Sequence, residues 1–206
     1  MCATPCAAQS LERAERPEIK VGDLWVFQDT DFRTGEKKDT SFLVTAVDGD
    51  EIVVQTGEST SGAWTFTREW NPVEKKAGDV VTDVLKPDWP YLRFPLIPGK
   101  AWEAPFENEV ISRFEKHVAE WQWKAQVEAV ETVTVRAGTF QTFRIEYEGS
   151  FTTRSGRETW TGSHTETAWY APATKAIVKR EFTQSVPARN VKEHHAIELL
   201  SFKLTP

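Results

Sequence analysis

The chain has 206 residues, with 25 Lys and Arg against 31 Asp and Glu and a formal net charge of −6. That length suits one large all-β domain or two small ones, and a chain this size buries roughly 70% of its unfolded surface, so neither a disulfide nor a metal is needed to hold it together. A hydrophobic share of 39% with 27% charged residues argues against disorder, and the acidic balance disfavours nucleic acid as a partner, since that needs a basic footprint.

No apolar run approaches the ~18 residues that cross a membrane as a helix. Nothing reads as a signal peptide, because Met1 is followed at once by Cys2. The only two cysteines, Cys2 and Cys6, lie in a short tail rich in Ala, Pro and Ser. Processed bacterial lipoproteins begin with a lipidated cysteine followed by such a tether. The expectation is therefore a chain that starts at the mature cysteine, with Cys2 as the lipidation site and membrane contact only through that anchor. Residues 1–17 are expected as a flexible tail, in which 11–16 allow one helical turn before Pro17 stops it. Residues 18–206 read as a single soluble β domain.

The strands follow in order. Leu24, Trp25, Val26 and Phe27 sit in a first strand over 23–32, which runs into a polar turn containing Gly35. A second strand over 41–47 meets Asp48-Gly49-Asp50, a strong hairpin signal, and 51–56 returns. Trp64, Phe66 and Trp70 alternate with Thr65, Thr67 and Glu69. Residues 71–100 read as one long loop, with four prolines between Pro87 and Pro98. Loops beyond ~15 residues in a compact domain are often functional, although Tyr91, Leu92, Phe94 and Leu96 also suit a plug for an open end of the sheet.

The clearest signal lies at 119–130. Ala119, Trp121, Trp123, Ala125, Val127 and Ala129 alternate strictly with polar residues, so one face is buried and the other wet. The pattern resumes at Val133 and Val135, which implies either a long strand or two joined by a bulge. Strands over 142–148, 158–170, 175–182 and 195–204 complete the chain. About ten antiparallel strands with short turns predict an all-β curled sheet, half-barrel or barrel, interrupted by one long proline-rich loop.

Three segments carry a resemblance. They are Phe94-Pro-Leu-Ile-Pro-Gly-Lys-Ala-Trp102, Val133-Thr-Val-Arg-Ala-Gly-Thr-Phe140 followed by Phe143-Arg-Ile-Glu146, and Trp169-Tyr-Ala-Pro172 followed by Ile177-Val-Lys179. With the closing Glu198-Leu-Leu-Ser-Phe202, they resemble the bacterial TapB-like family of exported β domains of unknown function, over roughly residues 18–204. Arg136 stands where the family pattern suggests proline, which leaves that turn less rigid. The resemblance implies an exported, often lipid-anchored β protein of the periplasm or outer membrane, and it supplies no catalytic residue.

Chemistry-bearing residues are few. His194 and His195 are adjacent, so on a strand they face opposite ways and cannot share a metal. No metal-ligating spacing, cofactor motif or nucleophile elbow is present, so no cofactor is expected. In the strand 158–170, Thr159, Thr161, Ser163, Thr165 and Thr167 alternate with Glu158, Trp160, Gly162, His164, Glu166 and Ala168, and neither set makes an ordinary apolar face. Trp160, His164 and Glu166 are placed along a concave, partly wet surface, and Trp89, Tyr91, Arg93, Trp102, Trp121 and Trp123 join them as candidate ligand contacts. Three functions fit: a non-catalytic envelope binding or assembly protein whose partner is a lipid, a glycan or another envelope protein; a carrier enclosing an acyl chain in a cavity lined by Trp121, Trp123, Trp102 and the long loop; and a hydrolase centred on His164 and Glu166.

Overall fold

The computed structural model describes residues 11–57, 62–112 and 115–206, so Cys2 and Cys6 lie outside the described residues. Those residues form twelve antiparallel strands: β1 (Leu24–Asp31), β2 (Lys37–Asp48), β3 (Glu51–Thr56), β4 (Ala63–Thr67), β5 (Pro72–Ala77), β6 (Val80–Lys86), β7 (Ala101–Ile111), β8 (Lys116–Val135), β9 (Gly138–Ser155), β10 (Glu158–Ala171), β11 (Ala176–Val186) and β12 (Val191–Lys203). Each strand pairs with its neighbours in sequence, and β1 pairs with β12 to close the barrel.

The expected barrel is correct, but the extent of the long loop is not. Within 71–100, β5 and β6 form a hairpin, and the loop proper occupies only 87–100. The strand β7 was not expected either. The strand at 116–135 is continuous, with its bulge between Val127 and Ala129. Along β8 the alternation holds from Trp121 to Val127, where Trp121, Trp123, Ala125 and Val127 are buried and the residues between them exposed, whereas Ala119 and Ala129, expected on the same buried face, are only half-buried, Ala129 lying past the bulge. Polar residues outside and apolar residues inside are the reverse of a membrane-spanning barrel, which is apolar outside.

Strand number explains the role of the loop. Eight strands enclose an interior that side chains just fill, and the diameter grows with strand number. Twelve leave space in the middle. Residues 87–100 connect β6 to β7 at one end and fold back into this space. Leu92 and Leu96 are fully buried, and Tyr91 is nearly so. The fully buried Asn71 holds the loop from the β4–β5 turn. Its side-chain oxygen accepts from Leu92 N at 2.8 Å, and its amide donates to Leu92 O at 3.0 Å and to Asp88 at 3.1 Å. Arg93 clamps Asp88 with two bonds, at 3.1 and 3.0 Å. The outer part of the loop is tied to the N-terminal segment. Ala14, inside the tail expected to be flexible, is buried and exchanges both backbone bonds with Leu96.

Candidate functional site

The inserted loop divides the barrel interior. On one side lie β7 to β10. There Trp89 stacks on Tyr91 at 5.0 Å, Phe106 stacks on Trp121 at 5.5 Å, and Trp123 packs on Tyr147 at 5.4 Å. Two inward positions must be glycine for these rings to fit. A Cβ on Gly149 would lie 2.7 Å from Trp123, and one on Gly162 would lie 2.2 Å from Phe151. This half is filled, so the cavity expected among Trp121, Trp123 and Trp102 does not exist. The loop residues Trp89 and Tyr91 occupy the space that an acyl chain would need. Trp102 instead supports the loop, its indole N–H donating to Pro90 O at 2.8 Å.

At the seam between the two halves sits a buried charge cluster. His164 and Glu166 are two apart on β10, so both point inward. The structure brings them into contact, with His164 Nε2 3.1 Å from Glu166 Oε2. They are not wet, however: the Glu166 side chain is 0% exposed and that of His164 is 2% exposed. Glu166 Oε2 also accepts from Arg180 Nη2 at 2.7 Å and from Tyr91 OH at 3.3 Å. Arg180 Nη2 donates a second bond to Tyr91 OH at 2.7 Å, and Tyr147 OH donates to Tyr91 O at 2.8 Å.

Burial pushes the Tyr91 and Tyr147 hydroxyls well above the ordinary tyrosine value, against the pull of Arg180. Burial also works against the charge on Arg180, but Glu166 and Tyr91 outweigh it and hold the guanidinium protonated. The cluster is sealed by rings, with Phe182 stacked on His164 at 5.3 Å and Trp123 at 5.4 Å from it. Trp160 is separate. It is half-buried beneath the Arg189 guanidinium, 3.5 Å from its ring centre, and edge-on to His117. Arg93 is engaged with Asp88 and belongs to the loop's anchoring.

The other half of the barrel is open. A cavity of about 390 Å³ lies against β1, β2, β4, β5, β11 and β12, with Trp89, Tyr91 and Leu92 of the loop as its inner wall. Ligand sites commonly span roughly 300–1,000 Å³. Phe27, Phe42, Trp64, Phe66 and Trp70 form its apolar sides, and all five are only half-buried although they point into the barrel. Polarity rises along β1. Trp25, at the floor, is 0% exposed, and its indole N–H donates to Thr174 O at 2.7 Å. Phe27 follows, and then Asp29, whose side chain is 40% exposed. Asp29 accepts from His195 Nδ1 at 2.9 Å. Arg180, from the charge cluster, faces the same level, because Arg180 pairs with Ile197 and Ile197 with Asp29. The site is thus an aromatic well with a guanidinium and a carboxylate near its mouth. A larger depression, about 600 Å³, lies on the outer face of β7 to β11, among exposed polar residues such as Glu103, Lys124 and Glu148.

Sequence reasoning missed Arg180 and the aromatic well. A signal for each was present. Arg180 lies between Val178 and Phe182 on the inward parity of its strand, where a charge needs a partner. Trp25 with Phe27, and Trp64 with Phe66, put aromatics on single faces of two strands.

No protein-family model matches the sequence, and no curated protein matches it. Among solved structures, the chain shares the fold of the hypothetical lipoprotein YmcC of Escherichia coli K12, with a TM-score of 0.51 and 11% identity over 88% of this chain and 84% of that one. Weaker likenesses extend to a Parabacteroides distasonis protein described as a lipoprotein (TM-score 0.48, 17% identity, 92% of this chain and 99% of that one) and to a Bacteroides fragilis protein described as exported and of YmcC-like fold (TM-score 0.41, 12% identity, 92% and 99%). The resemblance to the TapB-like family therefore rests on its sequence motifs alone, and the likeness to YmcC shows a shared fold.

Proposed function

We propose that this protein is a non-catalytic binding protein of the bacterial cell envelope that holds the apolar part of a small amphipathic molecule inside its barrel. One observation carries the reading: the open half of the barrel is a well whose polarity increases from Trp25 at the floor to Asp29 and Arg180 at the mouth. Such a well takes a molecule tail first and leaves its head among polar groups. Five half-buried aromatic side chains facing one cavity form a surface whose burial by a ligand is favourable, at roughly 25 cal/mol per Å² of apolar area removed from water. The carrier reading tied to Trp121, Trp123 and Trp102 fails with its cavity, and the present proposal places a ligand in the open half instead. A lipid is the partner class that this well suits.

The envelope location rests on the tail around Cys2 and on the likeness in fold to YmcC, a protein described as a lipoprotein. A lipid on Cys2 would hold the barrel at the membrane. Labelling with radioactive palmitate in cells that carry the natural gene tests this: the label should be present and should be lost in Cys2→Ser. An unlabelled wild-type protein contradicts the anchor.

Titration with the neutral fluorophore N-phenyl-1-naphthylamine tests the binding reading. We expect saturable binding of one equivalent. Ile197→Trp, which fills the cavity from a half-buried wall position, should abolish it without lowering thermal stability. No saturable binding, or binding unaffected by Ile197→Trp, would overturn the reading.

A further inference from the structure

We infer that the polar end of the cavity's ligand is an uncharged oxygen acceptor, the carbonyl of an acyl ester or amide, and not a free carboxylate. This rests on the binding reading above and adds the chemistry of the head. Among the residues that line the cavity, Arg180 is the one cation and Asp29 the one acid. A guanidinium in an aromatic well suggests at first a carboxylate ligand, because the fork matches that group. Here the charge is already matched. Arg180 Nη2 is bonded to Glu166 Oε2 at 2.7 Å, and the Glu166 carboxylate has no access to water. Asp29 stands at the same level, across Ile197. Around the guanidinium stand two carboxylates, Glu166 behind it in the seam and Asp29 at the mouth, each bonded to an imidazole, His164 at 3.1 Å and His195 at 2.9 Å; with those imidazoles neutral, a third anion would enter a site already in negative balance.

Donors nonetheless remain. A guanidinium has five N–H groups in a fixed fork. Both bonds described above leave from Nη2, Nε is buried without a partner, and the side chain is 24% exposed. An uncharged carbonyl can accept from this fork with no ionic desolvation. The cavity's 390 Å³ corresponds to about thirteen waters at ~30 Å³ each, a space comparable to a chain of about ten carbons with a small head. A single short acyl chain ending in an ester or amide fits both the volume and the charge.

The experiment compares methyl decanoate with decanoate near pH 8, above the ordinary imidazole range, each displacing N-phenyl-1-naphthylamine from the intact protein. The ester should bind at least tenfold tighter than the acid. Asp29→Asn, at a half-exposed position that leaves the fold intact, should narrow that ratio at least threefold. Glu166→Gln, if it folds, should reverse the preference by freeing the charge of Arg180. Decanoate binding as tightly as the ester, or a ratio unmoved by Asp29→Asn, overturns the inference while leaving the cavity a binding site. Failure of both ligands and of the fluorophore overturns the binding reading as well.

Discussion

Replacing the two buried partners Glu166 and Arg180, singly and together, should reveal a strongly coupled pair. Glu166 accepts three bonds, at 2.7, 3.1 and 3.3 Å, with a side chain that is 0% exposed. Removing one member of such a pair costs roughly 3–5 kcal/mol, because the other charge stays buried. The two single variants differ in their escape routes. In Glu166→Leu the Arg180 side chain, already 24% exposed, can turn toward the cavity mouth, so the loss lies near 3 kcal/mol. In Arg180→Met the Glu166 carboxylate has no path to water, so the loss lies near 5 kcal/mol. The double variant Glu166→Leu with Arg180→Met removes both charges and leaves only Tyr91 OH and His164 Nε2 short of a partner, at about 1–2 kcal/mol each. It should therefore be about as stable as the milder single variant, with a coupling energy of about 4–6 kcal/mol. Urea unfolding followed by tryptophan fluorescence measures all four proteins. In a domain of this size each kcal/mol is worth about 2–4 °C in Tm, so Arg180→Met should melt roughly 10–20 °C below wild type. Losses that simply add, or single losses below about 1 kcal/mol, would show that the cluster is solvated and refute its burial.

Three further outcomes follow from the packing. All three tyrosines are buried, and burial raises each hydroxyl above its ordinary value of 10.0. A raised pKa favours the protonated form in the folded state, so stability is intact below about pH 10 and falls as pH rises beyond it. Ultraviolet titration should show no tyrosinate until the barrel unfolds in a single step, and a tyrosine that ionises near pH 10 in the folded protein would contradict this. Asn71→Leu removes three buried hydrogen bonds to the loop and should cost about 3 kcal/mol. It should also raise hydrogen exchange at Leu92, and unchanged exchange there would mean that the loop is held by its apolar contacts alone. Gly162→Ala drives a methyl onto Phe151 and should cost about 1–3 kcal/mol, with recovery when Phe151 is also changed to Leu.

The parts of the fold written in period two were legible. In β8, with a buried tryptophan or small residue at every second position from Trp121 to Val127, alternation alone gives the strand and its buried face, while the bulge between Val127 and Ala129 falls inside the run that the pattern read as unbroken. The β5–β6 hairpin was not legible. Its residues are charged or half-buried on both sides, so no alternation marks it, and the prolines beyond it made the whole segment look like one loop. For the candidate site, spacing placed His164 and Glu166 on one face correctly. Their burial depends on Tyr91, 75 residues from Glu166 in sequence, and on Arg180 from another strand, neither of which a local pattern reveals. The tryptophans misled in a similar way. Trp121 and Trp123 form the clearest aromatic face in the sequence, yet they are packed by the loop. Trp64 and Trp70, in weaker patterns, line the open space. A pattern tells which side chains point inward, whereas a cavity depends on which of them lack neighbours.

The central claim is that the ligand enters the half of the barrel bounded by β1, β2, β4, β5, β11 and β12. Indole N–H signals in a 1H–15N NMR titration with N-phenyl-1-naphthylamine test it most directly, because tryptophans lie in both halves. Trp64 and Trp70, at the cavity wall, should shift and saturate at one equivalent, while Trp121 and Trp123 stay in place. Shifts led by Trp121 and Trp123, or no indole shift at saturation, would contradict the account.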